Sequence, residues 1–154
     1  MDSLFDRAVA DALLARVERL TPDAERLWGT MTVSQMLAHV NVPFDAVYDP
    51  DYERAHPRPN RAVRALLRLV AKPTVVGERP YKRNMRTVPA FIITGEPDFD
   101  AERARLVAAI NRVQAEGAAA FEGRESHSFG PLTAREWSTL FIKHTDHHLQ
   151  QFGV

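Results

Sequence analysis

Apolar residues recur at three- and four-residue spacing along most of the chain, which is the pattern of amphipathic helices. The first such stretch begins at Leu4 and ends near Leu20, just before a Thr-Pro pair. Small polar residues that accept a hydrogen bond from a free backbone N–H favour the start of a helix. We therefore expect Asp2 or Ser3 to cap a first helix that ends near Leu20.

Two capping boxes mark the starts of two further helices. In Thr32–Gln35 and again in Thr133–Glu136, a threonine is followed three residues later by a glutamine or a glutamate. The threonine hydroxyl takes a free backbone N–H, and the second side chain reaches back to the cap residue. The first of these helices should end near Tyr48, and the C-terminal one should last until Gly153.

The remaining periodic stretches predict a shorter helix over Asn60–Val70 and a long one over Asp100–Phe121. Between them, residues 72–99 contain four prolines and lack sustained periodicity, apart from one short predicted strand at Phe91–Thr94. We expect a long ordered loop there that helps to roof a site. Four substantial helices with almost no strand signal predict one all-α domain over residues 1–154, a helical bundle.

Composition narrows the function classes. Lysine plus arginine equals aspartate plus glutamate at 20 each, so the basic excess of a nucleic-acid binder is missing. There is no cysteine, which excludes disulfides and cysteine-ligated zinc. No apolar run approaches the ~18–20 residues of a membrane span, and the acidic N-terminus does not resemble a signal peptide. We expect a cytoplasmic protein with no nucleic-acid or membrane partner, and both tryptophans, Trp28 and Trp137, in its core.

The C-terminal helix carries three histidines within five residues. His144 and His148 lie about 40° apart on a helical wheel and one turn apart along the axis, so both rings can reach one ion. Both also fall within the apolar stripe of Trp137 and Phe141. A buried polar ring without a partner is costly, and a metal ion would supply one. The alternative is that a carbonyl or a carboxylate satisfies each ring.

A metal site needs at least a third ligand. His56 and His127 lie in proline- or serine-rich connections, and we expect both to be exposed. His39 lies on the second predicted helix, about 120° away from its apolar stripe. Pro43 offers no N–H to the carbonyl of residue 39, so the helix should loosen beside His39. His39 is thus the preferred third ligand, and a flanking, exposed histidine is the alternative.

Three neighbours of the pair could act on the site without binding the ion. Asp146 and Gln151 are candidates to orient the imidazole rings, and His147 lies at the margin of the apolar stripe. Ordinary solvated side chains are the alternative interpretation for Asp146 and Gln151. No nucleophile elbow, phosphate loop or His-Glu-x-x-His motif occurs, so no catalytic residue is assigned.

The same residues carry a resemblance to a known group of proteins. The segments that carry it are Trp28-Gly29, Met31–His39, Phe129–Trp137 and Lys143–Phe152. Together they resemble the DinB/YfiT-like superfamily and, within it, the DUF1569 family. The resemblance implies a four-helix bundle, often a homodimer, that holds a divalent ion such as nickel, zinc or iron. By position, its three histidine ligands are His39, His144 and His148.

The resemblance also bears on function, because characterised relatives include thiol-dependent S-transferases and isomerases. In the common superfamily ending, arginine and glycine follow the histidine pair, whereas Leu149 and Gln150 stand here. The lost arginine leaves an anionic substrate without an obvious partner. We expect a metal-dependent enzyme acting on a small molecule, either by thiol transfer or by hydrolysis. The alternatives are a non-catalytic metal- or small-molecule-binding bundle, and a structural bundle whose histidines are satisfied internally.

Overall fold

A computed structural model describes residues 3–154 of the chain. Helix α1 spans Arg7–Glu18, and its N-cap is Asp6, whose carboxylate accepts a hydrogen bond from the backbone N–H of residue 8. The cap predicted at Ser3 is wrong, because residues 3–6 form a turn in which the backbone N–H of Leu4 donates to Ser138 of the last helix. Asp2, the other predicted cap, lies outside the described residues.

Both capping boxes are confirmed. Helix α2 spans Val33–Tyr48 and begins at the box of Thr32 and Gln35, with both reciprocal hydrogen bonds formed. The last helix, α7, spans Ala134–Gln151 and begins at the second box, with both of its hydrogen bonds formed as well. It ends two residues before the predicted Gly153, which follows with a positive φ of 75°.

The middle of the chain is more helical than predicted. Two short helices, α3 (Tyr52–Ala55) and α5 (Lys72–Val76), flank the predicted α4, which spans Arg61–Val70 after its cap Asn60. The strand predicted at Phe91–Thr94 is wrong. Residues 89–91 form a 3₁₀ turn instead, because the N–H groups of residues 91 and 92 bond back to the carbonyls of residues 88 and 89.

Helix α6 spans Phe99–Phe121 and starts one residue before the predicted Asp100. Gly117 interrupts it with a φ of 75°, a conformation that a residue with a Cβ adopts at a cost. A two-stranded antiparallel sheet follows, in which β1 (Glu125–Ser126) pairs with β2 (Gly130–Pro131). No pattern of residues predicts strands this short.

The long helices share one hydrophobic core. Helix α2 packs against α6 and α7, and α1 packs against the same two helices. Stacked Phe44 and Phe141 rings, 4.4 Å apart, join α2 to α7 at its centre. The chain is therefore mostly helical, as its periodicity predicts. Within residues 3–154, no helix is both long and apolar enough to cross a membrane. The packing of α2 on α7 brings the histidines of the two helices together.

Candidate metal centre

Three histidines converge between α2 and α7. His39 comes from α2, and His144 and His148 come from successive turns of α7. One ring nitrogen from each lies within 4.8 Å of the other two. Nε2 of His39 and Nε2 of His144 are 3.1 Å apart. This is the set of three that the sequence and the resemblance single out, and its geometry would let one cation contact all three rings.

His39 is buried although its helical wheel places it on the flank of α2. Only 5% of the residue is exposed, because the 3₁₀ turn at residues 89–91 covers that flank. The Phe91 ring lies edge-on 5.4 Å from the imidazole. Helix α2 continues through Pro43 as one helix. His39 is therefore buried by the segment at residues 89–91 and not by a break of its own helix. The expected roof is thus in place over His39.

The surroundings of His39 also determine its tautomer. Its Nδ1 lies 2.8 Å from the backbone carbonyl oxygen of Phe91. A carbonyl oxygen only accepts hydrogen bonds, so Nδ1 carries the proton and donates it. In the neutral ring, Nε2 then keeps a free lone pair that is directed at His144. Metal-binding histidines are usually oriented by such a bond from the other ring nitrogen.

His148 is held in the same way by a side chain. Its Nδ1 lies 2.8 Å from Oε1 of Gln151. The amide of Gln151 is itself oriented, because its Nε2 donates to the carbonyl oxygen of Trp28 at 2.7 Å. The oxygen end of the amide therefore faces the imidazole, Nδ1 donates to it, and Nε2 keeps its lone pair. Of the two residues expected to orient the rings, Gln151 forms a hydrogen bond with a histidine of the cluster.

Gly29 makes room for that amide. A Cβ at this position would lie 2.5 Å from Nε2 of Gln151, closer than real Cβ contacts allow. The backbone there has a φ of 82°, which also favours glycine. The neighbouring N–H of Leu27 donates to the carbonyl oxygen of Gln151 at 2.7 Å. The loop before α2 and the end of α7 are thus joined around the residue that orients His148.

His144 is the ring whose polar atoms the protein satisfies least. Its Nδ1 is inaccessible to solvent and has no hydrogen-bond partner, although part of the residue remains accessible. Its Nε2 faces the lone pair of His39. A neutral imidazole carries one proton, so Nε2 of His144 either donates that proton to His39 or, with the proton on Nδ1, directs a second lone pair at it, where a cation would have to lie between the two. A buried polar atom left without a partner is costly, so this arrangement calls for a ligand or an explanation of its stability.

Burial keeps the three rings neutral. Desolvation is the main cause that lowers the pKa of His144 well below its ordinary value, and the neighbouring histidines add to it. Desolvation also lowers the pKa of His148, to about 3. The pKa of His39 is lowered for the same reason, in spite of the opposing effect of the hydrogen bond that its ring donates to the Phe91 carbonyl. Neutral imidazole is the form that binds metals, so the cluster is in its ligating state at neutral pH.

The other two residues expected near the rings lie further out. Asp146 forms an ion pair with Arg16 at 2.6 Å and accepts a hydrogen bond from Gln150 at 2.7 Å, so its carboxylate is directed away from the cluster. His147 packs edge-on against His148, with ring centroids 5.0 Å apart, and faces the far side of α7. Burial lowers its pKa, the negative charge of Asp146 opposes this shift, and the positive charge of Arg83 adds to it.

The remaining histidines form a separate pair. Nε2 of His127 donates to the carbonyl oxygen of His56 at 2.7 Å, and the ring of Tyr52 packs against both imidazoles. The expectation that both are exposed is wrong, because each is partly buried. No sequence pattern predicts the β1–β2 hairpin, which brings His127 to residue 56.

Three groups around the cluster escaped sequence reasoning. Two are the backbone carbonyls of Trp28 and Phe91, which no sequence pattern marks as ligand-orienting. The third is the ring of Tyr81, which lies edge-on to His144 and His147 at 6.4 and 5.6 Å. Trp28 itself is partly exposed in a surface cleft, so its predicted core position is wrong, whereas Trp137 is buried as predicted.

Comparison with known proteins identifies the family. No curated protein and no solved structure matches the chain. A family model described as "Protein of unknown function (DUF1569)" matches residues 5–153, nearly the whole chain and all three clustered histidines. The chain therefore belongs to the DUF1569 family.

Proposed function

We propose that the protein holds a divalent metal ion on His39, His144 and His148 and acts as a metal-dependent enzyme on a small molecule. The observation that carries the proposal is the pair of Nε2 atoms 3.1 Å apart, one of which keeps its lone pair because Nδ1 of the same ring donates elsewhere. A cation shared by the three rings would bind that lone pair together with one from each of His144 and His148. The buried, neutral state of the rings supports the same conclusion.

The donor set fits nickel, zinc or iron. Imidazole nitrogen is a good ligand for each of these ions, and the sequence offers no thiolate that would select a softer metal. Three neutral ligands leave the ion its full charge. When bound with an open position, such an ion polarises a carbonyl or lowers the pKa of a bound water or thiol. Thiol transfer and hydrolysis are the two reaction classes that this chemistry supports.

The chain's own residues have defined tasks in this proposal. Gln151 and the Phe91 carbonyl hold two of the rings in the tautomer that offers Nε2. The 3₁₀ turn and its phenyl ring exclude water from the side of His39. We further propose that the four long helices form a DinB/YfiT-like bundle, that the protein is cytoplasmic, and that it forms a homodimer. The packing of α1 and α2 on α6 and α7 supports the first of these.

Metal analysis tests the site directly. Protein purified without a histidine tag should contain about one nickel, zinc or iron ion per chain. The His148→Ala variant should lose it, and His127→Ala, at the separate pair, should keep it. Elemental analysis and circular dichroism on the same samples separate loss of metal from loss of fold. Wild-type protein that stays metal-free after incubation with each ion would refute the site.

A second candidate, a non-catalytic metal- or small-molecule-binding protein, is favoured by one observation. A surface cleft lies next to the cluster, but none of the three histidines lines it. The rings of His147 and Tyr81 line it instead. Closed metal sites are typical of structural roles. Thiol addition to an electrophile, measured with and without chelator, distinguishes the two. Turnover that disappears on chelation and returns with metal supports the enzyme, and turnover indifferent to chelation contradicts it.

A further inference from the structure

A cleft of about 290 Å³ lies on the outer side of α7, next to the histidine cluster. Its aromatic lining consists of Trp28, Tyr81 and His147, and the His147 ring lies 5.8 Å from the indole and 5.6 Å from the phenol ring. Ile142 adds an aliphatic side chain. Mostly apolar walls with a few polar groups are the usual lining of a small-molecule site.

Most charged groups of the cleft already have partners. Glu78 pairs with Arg135 at 2.6 Å, and Asp146 pairs with an arginine of α1 at the same distance. The ammonium group of Lys143 donates to two backbone carbonyls, those of residues 74 and 77, each at 2.6 Å. Both carboxylates are therefore engaged by arginines, and the two carbonyl contacts tie the lysine to the end of α5.

Arg83 is the exception. Its guanidinium lies over the indole of Trp28, 4.2 Å from the ring centroid. Within residues 3–154, no carboxylate lies within ion-pair distance of it. Stacking restrains the guanidinium at the cleft while its N–H groups stay available in the plane of the fork. An arginine held in this way offers two parallel donors, which match the two oxygens of a carboxylate.

His147 faces the same space with its hydrogen-bonding capacity unused. Its ring makes aromatic contacts on three sides, with Trp28, Tyr81 and His148. Neither of its ring nitrogens forms a hydrogen bond with any residue in the described part of the chain. A neutral imidazole always carries one N–H donor. The cleft therefore combines a cationic fork and a second donor with aromatic walls.

We propose that this cleft binds a small organic acid, whose carboxylate pairs with Arg83 and accepts a hydrogen bond from His147. The apolar body of the acid packs against Tyr81 and Ile142. A cavity of this volume suits a molecule about the size of a substituted benzoate. This inference rests on the proposed function, since it names the substrate class of the metal site that His147 adjoins.

Matched acids and amides test the proposal. Benzoate, phenylacetate and 3-phenylpropionate, each with its neutral amide, are titrated into the isotope-labelled full chain loaded with zinc, with backbone and indole N–H chemical shifts as the readout. We expect each acid to bind at least tenfold more tightly than its amide and to shift the indole N–H signal of Trp28. Added salt should weaken the binding of the acids and leave the binding of the amides unchanged.

Two variants localise the binding. Arg83→Gln should weaken the acids at least tenfold while keeping the metal content of the wild type. Arg86→Gln removes another exposed cation of the same loop and should change neither the affinity for the acids nor the metal content. Acids that bind no better than their amides, acids that bind Arg83→Gln as well as wild type, or the absence of binding by every acid in the set would each overturn the proposal.

A third variant separates this proposal from the proposed function. In His148→Ala, loss of metal with Arg83-dependent acid binding retained supports the cleft. If acid binding disappears together with the metal while Arg83→Gln binds normally, the acid is a ligand of the ion and the cleft proposal fails. Wild-type protein that binds acids through Arg83 yet never takes up metal would instead refute the metal centre alone.

Discussion

Two groups of histidines in this chain differ in what surrounds their nitrogens. In the pair of His56 and His127, a ring nitrogen donates to a backbone carbonyl 2.7 Å away. In the cluster of His39, His144 and His148, two rings bind acceptors outside the cluster through Nδ1, and their remaining nitrogens face inward. The cluster also holds a buried nitrogen without any partner, Nδ1 of His144.

The comparison shows that neither the number of histidines nor their burial distinguishes a candidate metal site. Both groups are at least partly buried, and both pack against aromatic rings. The difference lies in the direction of the lone pairs. A structural histidine uses its nitrogens on other protein groups, whereas in the cluster one nitrogen of each ring faces the other two rings.

The largest expected effect is stabilisation of the cluster by metal. A ligand that binds only the folded state at a hundred times its Kd adds about 2.7 kcal/mol to the free energy of unfolding. For a chain of this size, that raises Tm by about 5–10 °C. Calorimetry with and without chelator measures the shift. It should vanish in His39→Ala and persist in His127→Ala. An equal shift in both variants would place the bound ion elsewhere.

Loss of the orienting amide should have the next largest effect. Gln151→Leu removes the acceptor of His148 Nδ1, and changes to such outer partners typically lower metal affinity by 10–100-fold. Gln150→Leu is the matched control, because its amide binds Asp146 on the surface. Competition with a chromogenic chelator measures both affinities. Equal losses in the two variants would show that the amide of Gln151 does not orient the ligand.

Local signals in the sequence predicted much of the fold. Each capping box lies within four consecutive residues, so its outcome depends little on distant parts of the chain. The predicted strand at Phe91–Thr94 failed for the opposite reason. Its β-branched residues favour extended structure, but a strand also needs a partner, and the segment folds back on itself over His39. Only the tertiary fold decides between these outcomes.

The candidate site likewise has one part that local sequence signals predict and another that depends on the tertiary fold. The one-turn spacing of His144 and His148 follows from helix geometry, and the structure keeps it. The burial of His39 depends on a turn fifty residues away, which its helical wheel could not include. Gln151 was a candidate for orienting the rings, yet only the carbonyl of Trp28 fixes which end of its amide faces His148. Contacts with backbone carbonyls leave no mark on a sequence.

A smaller effect is expected at the glycine that accommodates that amide. Gly29→Ala adds a Cβ 2.5 Å from Nε2 of Gln151, at a backbone φ of 82°. Gly123→Ala places the same Cβ at a φ of 73° in open space, so it carries the backbone strain without the contact. We expect Gly29→Ala to lower the free energy of unfolding by about 1–2 kcal/mol more than Gly123→Ala does, because it displaces one or two hydrogen bonds. Urea unfolding of both variants measures the difference.

The smallest effect is also the one most specific to the comparison. In chelator, His144→Leu should leave the free energy of unfolding within about 0.5 kcal/mol of wild type. Two contributions offset each other: the substitution removes a buried nitrogen without a partner, and it also removes the hydrogen bond that Nε2 of His144 donates to Nε2 of His39 when no metal is bound. His127→Leu should lose about 1 kcal/mol, because the His56 carbonyl loses its donor. Added metal should raise the free energy of unfolding of His127→Leu and leave that of His144→Leu unchanged. If His144→Leu destabilises the chelated protein as much as His127→Leu does, the cluster is satisfied internally like the other pair, and the contrast between the two groups disappears.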